Sequence, residues 1–170
     1  REIAGKAKLM QIGFILEAGE GFGLGHYMRS RILAYQLSAL GCNCDLILRG
    51  NREVTQRWPG PWQNIWHIGR HESLSIATEC VMTNMRGRQW CWLVVDGYQW
   101  VDAGIVTKIR LAGGRSVQFD DFGAGSPDAE LVINTGAPNK QAAGRLLAGP
   151  QFAPVDGIYA EIGKLRRYRD

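Results

Sequence analysis

The segment Glu20 to Leu37, EGFGLGHYMRSRILAYQL, concentrates residue types that can do chemistry. Gly19, Gly21, Gly23 and Gly25 alternate, a spacing that permits positive φ and leaves room for a ligand beside the backbone. His26 follows at the point where a helical apolar pattern begins, so it falls in the first turn of a helix. There the positive end of the helix dipole opposes a second positive charge, and a neutral imidazole is what a general base requires. Arg29 stands three residues on and shares that helical face. Two readings of His26 stay open on these residues alone. It is a base at a ligand site, or it hydrogen-bonds the helix start while Arg29 makes a surface ion pair. The glycines read G-L-G-H-Y-M, so the third glycine of a dinucleotide fingerprint is missing, and so is a Walker-type lysine.

Three further polar interruptions fall at the ends of apolar runs: Asp96 to Tyr98, Asp120-Asp121, and Asn134-Thr135. Carboxylates at such points orient a histidine, bind a sugar hydroxyl, or cap the next helix. His67, inside a short apolar run, and His71, at a helix start near Glu72, read as structural. Trp58, Trp62 and Trp66 read as core or covering-loop residues rather than as an aromatic platform for sugar. Cys42, Cys44, Cys80 and Cys91 form no C-x-x-C pair and read as reduced, buried, structural thiols, which fits a cytoplasmic protein. No metal site and no cofactor are expected.

The elements that must position these groups alternate along the chain. Apolar runs at Leu9–Leu16, Asp45–Arg49, Asn64–Ile68, Cys91–Val95, Arg115–Phe119 and Leu131–Asn134 predict strands. Between them, Met28, Ile32, Leu33, Leu37 and Leu40 predict one face of a helix stopped by Gly41. A short helix is expected within Asn51–Trp58. Leu74, Ala77, Val81 and Met85 mark another helix, and Ile105, Ile109 and Ala112 one more, closed by Gly113-Gly114. A weak helix is expected over QAAGRLLA, residues 141 to 148, with GPQFAPVDGIY after it extended or irregular. Alternation of this kind implies right-handed crossovers and an α/β fold with a doubly wound, mostly parallel, Rossmann-like sheet. Ligands of such sheets bind beyond the carboxyl ends of the strands, where Glu17 to His26 and the three polar interruptions lie.

Composition narrows the function classes. The 170 residues suit one domain, with 45% hydrophobic and 21% charged residues. The net charge is +4, and no basic stripe interleaved with aromatics occurs, which argues against nucleic acid as a partner. Fifteen of the 20 basic residues are arginine, the side chain suited to carboxylate and phosphate contacts. No apolar window reaches the roughly 18 residues of a membrane span, and REIAGKAK lacks an apolar signal core.

The segment GFGLGHYMRSRILA resembles the G-x-G-H-x-x-R…LA segment of bacterial UDP-sugar hydrolases that act in pseudaminic acid biosynthesis, and of related spore-coat polysaccharide proteins. LVVDGY, SVQFDDFG…AELVINTGA and GPQFAPV are similar to further segments of that family, in the same order. Gly97 stands where the family commonly has histidine, and Asp156 where it often has arginine. The resemblance implies a domain like the N-terminal half of the two-domain GT-B glycosyltransferase architecture, with a nucleotide-binding C-terminal half as its partner. It implies an enzyme that hydrolyses a UDP-activated deoxy amino sugar to UDP and free sugar, with His26 as the base. Gly23, Gly25, Arg29, Asp96, Tyr98, Asp121 and Asn134 would help form the sugar pocket. Two alternatives are a GT-B glycosyltransferase N-terminal domain, in which His26 deprotonates an acceptor hydroxyl, and a non-catalytic nucleotide-sugar-binding domain.

Overall fold

The computed structural model of the chain describes residues 9–121, 126–136 and 145–156. Seven parallel strands form one sheet in the order β3-β2-β1-β4-β5-β6-β7. They are β1 Gln11–Ala18, β2 Asn43–Gly50, β3 Trp62–Ile68, β4 Trp92–Asp96, β5 Ser116–Phe119, β6 Leu131–Asn134 and β7 Arg145–Ala148. The helices are α1 Gly25–Ala39, α2 Glu53–Arg57, α3 Leu74–Arg88, α4 Tyr98–Asp102 and α5 Ile105–Leu111. The chain winds outward from β1 to β3, then returns through α3 to β4 on the other side of β1. This is the doubly wound α/β architecture expected, with its switch point between the carboxyl ends of β1 and β4.

The central strands are apolar on both faces because both faces are covered. Phe14, Leu16, Leu46, Leu48 and Val94 pack with Tyr27, Ala34 and Val54 on the α1 side. Ile15, Ile47, Leu93 and Val95 pack with Val81, Met85, Trp100, Ile105 and Ile109 on the α3–α5 side. Phe14, Ile15 and Leu16 are fully buried, each contributing about 1.5–3 kcal/mol by removal from water. Trp62 stacks edge-on to Phe14 and Trp66 to Trp90, so these tryptophans serve the core.

Several expectations need correction. The buried face of α1 is His26, Tyr27, Ser30 and Ala34. Met28, Leu33 and Leu37 flank it half-buried, while Leu40 lies past the helix and is 81% exposed. The small Ser30 and Ala34 let the helix backbone lie close to the sheet, which pushes the large aliphatic residues to its sides. Arg145–Ala148 is strand β7, hydrogen-bonded along β6, rather than the end of a helix, because sheet pairing overrides a weak helical preference; residues 141–144 lie outside the described residues. Pro150–Phe152 forms a 3-10 turn within the stretch read as irregular, and its continuation at 157–159 is outside the described residues. Helix α4 was not expected, since five residues carry too little periodicity. Cys91 precedes β4 and is exposed, unlike buried Cys44. His71 lies in the turn before α3, which starts at Leu74 with Ser73 as its cap.

Candidate functional site

The loop between β1 and α1 closes on itself. The Gly19 N–H donates to the Gly23 carbonyl and the Gly23 N–H to the Gly19 carbonyl, both at 2.8 Å. Gly19, Gly21 and Gly23 take φ of 109°, 83° and 77°, values that strain any side chain. A Cβ added at Gly21, Gly23 or Gly25 would meet nothing within 4 Å, whereas at Gly19 it would lie 2.6 Å from Asn51 Cβ. The loop therefore leaves open space beside the start of α1, whose first turn no side chain caps.

His26 sits in that first turn and is 8% exposed. Its ring meets the Tyr98 ring edge-on, with centroids 4.9 Å apart and planes at 83°. Among the described residues, its buried Nδ1 meets no hydrogen-bond partner. His26 thus stands at the switch point, between the end of β1 and the turn after β4.

Arg29, one turn on, reaches across the sheet. Its Nε donates to Asp96 Oδ2 at 2.7 Å and one terminal nitrogen to Asp96 Oδ1 at 2.5 Å, a bidentate fork. The other terminal nitrogen donates to Asp121 Oδ1 at 2.6 Å, and the guanidinium lies 4.7 Å from the Phe119 ring centroid. The Ser30 hydroxyl donates to Asp96 Oδ2 at 3.0 Å. Asp96 is fully buried because it ends a strand buried on both faces, and its register partner in β1 is Leu16. Burial disfavours the Arg29 charge, but the hydrogen bonds and charges of Asp96 and Asp121 outweigh it and hold the guanidinium firmly protonated. Burial likewise pushes the Asp121 carboxyl up, and Arg29 more than offsets this, leaving it below the usual carboxylate range. The Tyr98 hydroxyl donates to Asp121 Oδ2 at 3.2 Å. Burial and the Asp121 charge push the Tyr98 phenol up.

A second charged group occupies the opposite face of the same rim, because side chains alternate along a strand and Glu17 follows Leu16. Glu17, 1% exposed, pairs with Arg49 of β2 at 3.3 Å, and its Oε2 accepts the Gln99 backbone N–H at 3.2 Å. Burial raises the Glu17 pKa, against the opposing pull of the Gln99 amide, Arg49 and His26. Glu17 was expected only as the start of the rim stretch Glu17 to His26, and Arg49 not at all. The sequence signal was there, a charged residue ending each of two apolar strand runs, but a strand-ending charge is also the default for an exposed loop. Glu17 and Trp100 account for Gly97. A Cβ there would lie 2.7 Å from Glu17 Oε2 and 2.9 Å from Trp100 Cδ1.

Of the residues singled out by sequence, His26, Arg29, Asp96, Tyr98 and Asp121 come together at one rim, with Gly23 and Gly25 at its open side. Asn134 ends β6, the strand beside β5, and its Oδ1 accepts the Gly136 N–H of its own turn at 2.8 Å. His67 belongs to β3, beside Thr55 at 3.3 Å. Among the described residues no group of three or more His, Cys, Asp or Glu side chains could hold a metal ion, and no helix is long and apolar enough to cross a membrane.

No protein-family model matches the chain, and no curated protein does. Among solved structures, it is similar to the crystal structure of MurG from Acinetobacter baumannii, with a TM-score of 0.59 and 16% identity. The match covers 81% of this chain and 44% of that one, so the chain spans less than half the length of the solved relative. At that identity the likeness is one of fold, and the fold is a Rossmann-like α/β domain.

Proposed function

We propose that this domain is the non-nucleotide half of a GT-B-type enzyme acting on a nucleotide sugar, with His26 as the base that deprotonates the attacking nucleophile. The observation that carries the reading is the position of His26. It stands at the switch point of the sheet, with an unpartnered ring nitrogen among the described residues, beside an open glycine loop. As the nucleophile's oxygen attacks the anomeric carbon, its proton passes to His26. The bond from that carbon to the nucleotide diphosphate breaks, and the diphosphate leaves with the electron pair. Arg29, held by two carboxylates, fixes the walls of the pocket rather than offering a free charge to phosphate. Arg49 is likewise paired with Glu17. With both rim guanidiniums neutralised, this side of the cleft suits sugar hydroxyl and amide groups, and the nucleotide would be bound by a partner half.

The structural likeness to a glycosyltransferase favours transfer to an acceptor hydroxyl. The ordered GLGH, VVDGY, DDFG and VINTGA segments favour a second reading, attack by water on a UDP-activated amino sugar. UDP release from a panel of UDP-sugars, measured for the chain alone and together with a nucleotide-binding domain, with and without acceptors, separates them. Acceptor-dependent release identifies a transferase, and acceptor-independent release a hydrolase. His26→Gln should lower turnover by about 10²–10⁴-fold with unchanged circular dichroism. Unchanged turnover in that variant would refute the assignment of the base.

A further inference from the structure

We propose that Arg49 and Glu17 are positioning residues that set the Tyr98–His26 contact from the opposite face of the sheet. The inference rests on the reading of His26 as the base, though its structural core can be tested without it.

Arg49 ties together the loops around the switch point. Its guanidinium donates to Gln99 Oε1 at 2.5 Å, to the Arg70 carbonyl at 2.9 Å and to the Glu72 carbonyl at 3.2 Å, while pairing with Glu17. The Phe22 ring of the glycine loop lies 5.5 Å from it. The ends of β1, the glycine loop, the turn between β3 and α3, and the start of α4 therefore share one buried cation. Glu17 closes the arrangement by accepting the Gln99 N–H. Gln99 is thus held twice, through its amide by Glu17 and through its side chain by Arg49.

The residue before Gln99 is Tyr98, whose ring lies against His26 and whose hydroxyl binds Asp121. Tyr98 is 45% exposed, so core packing alone does not fix it. Its place is set by the anchored Gln99 on one side and by Asp121 on the other. Gly97, against which Glu17 Oε2 packs, leaves no room for a side chain that would lift the turn. The pair acts on Tyr98 through Gln99, so its role is to preorganise the base.

The test uses the 170-residue chain, with Gln99→Ala as the mild variant and Glu17→Gln/Arg49→Met as the variant that leaves no uncompensated buried charge. Two readouts are followed: the His26 ring-proton resonances, and hydrogen exchange of residues 97–102 against Ser116–Phe119 as an internal control. The expected result is about tenfold faster exchange at 97–102 in both variants, from loss of charge-assisted hydrogen bonds. His26 resonances should also move toward those of Tyr98→Leu. Unchanged His26 resonances overturn the proposal, as does faster exchange spread equally over the control strand, which is the behaviour of a purely structural pair. Once a nucleotide-sugar substrate is in hand, Gln99→Ala should lower kcat more than it raises KM, and a change in KM alone counts against positioning of the base. Absence of turnover in the parent protein would sink the enzymatic reading and leave the resonance and exchange results standing.

Discussion

Replacing Arg29 by methionine tests the central assembly most directly. Asp96 is fully buried and would keep the Ser30 hydroxyl while losing both arms of the guanidinium fork. Removing one partner of a buried ion pair costs about 3–5 kcal/mol, because the remaining charge stays desolvated without compensation. Arg29 itself keeps 17% of its side chain in solvent and Ser30 still supports Asp96, which places the cost at the lower end, about 3 kcal/mol. For a domain of this size each kcal/mol moves the midpoint by about 2–4 °C, so the melting temperature should fall by roughly 6–12 °C. The double variant Arg29→Met/Asp96→Asn removes the stranded charge while keeping the shape and an acceptor for Ser30. It should therefore recover part of the loss rather than add to it. Melting followed by circular dichroism on the four proteins of this cycle gives the coupling. A drop below about 2 °C in Arg29→Met, or a double variant less stable than the single one, would refute the claim that Asp96 depends on Arg29.

The remaining predictions concern pH, backbone fit and thiols. Asp121 is held below its ordinary range in the folded state, so its contribution to stability is present above the unfolded carboxylate value and lost as pH falls through the folded one. Asp121→Asn should flatten that part of the acid limb in urea midpoints measured from pH 2 to 6; an unchanged limb counts against the Arg29–Asp121 bond. Gly97→Ala must displace Glu17 or Trp100, and should cost about 1–3 kcal/mol in denaturant unfolding even though the φ of 163° itself is unstrained; a neutral effect would mean the pocket behind Gly97 is soft. Exposed Cys91 should react with a disulfide reagent in the native chain, whereas Cys44, buried and pushed up to about 11, should react only on unfolding. Mass mapping of the first labelled thiol decides this.

Much of the fold was legible in the residues because its signals are local. LMQIGFIL and CWLVV are apolar without alternation, which requires cover on both faces, and Leu74, Ala77, Val81 and Met85 repeat at helical spacing. Such runs, with the polar interruptions that end them, determine a parallel α/β sheet and the rim where a site should lie. The alternating glycines likewise determine an open turn before His26. The misreadings also have local causes. The large aliphatics of α1 outweigh Ser30 and Ala34 in any periodicity, yet close packing favours the small residues. Likewise QAAGRLLA has helical composition, but the open edge of β6 recruits its second half as β7.

Which of the rim residues meet was decided by tertiary structure alone. Arg29 stands 67 residues from Asp96 and 92 from Asp121, so its surface ion-pair reading and its bidentate one differ only in where β4 and β5 lie relative to β1. Asn134 shares the strand-end signature of Asp96, yet its Oδ1 takes the Gly136 N–H while Asp96 takes the Arg29 fork. Glu17 and Arg49 each follow or end an apolar run, and their pairing follows from the parallel register that sets residue 17 beside residue 49. Chemistry at this site depends on distances between groups far apart in sequence, and those distances are fixed by strand order and register, which no local pattern encodes.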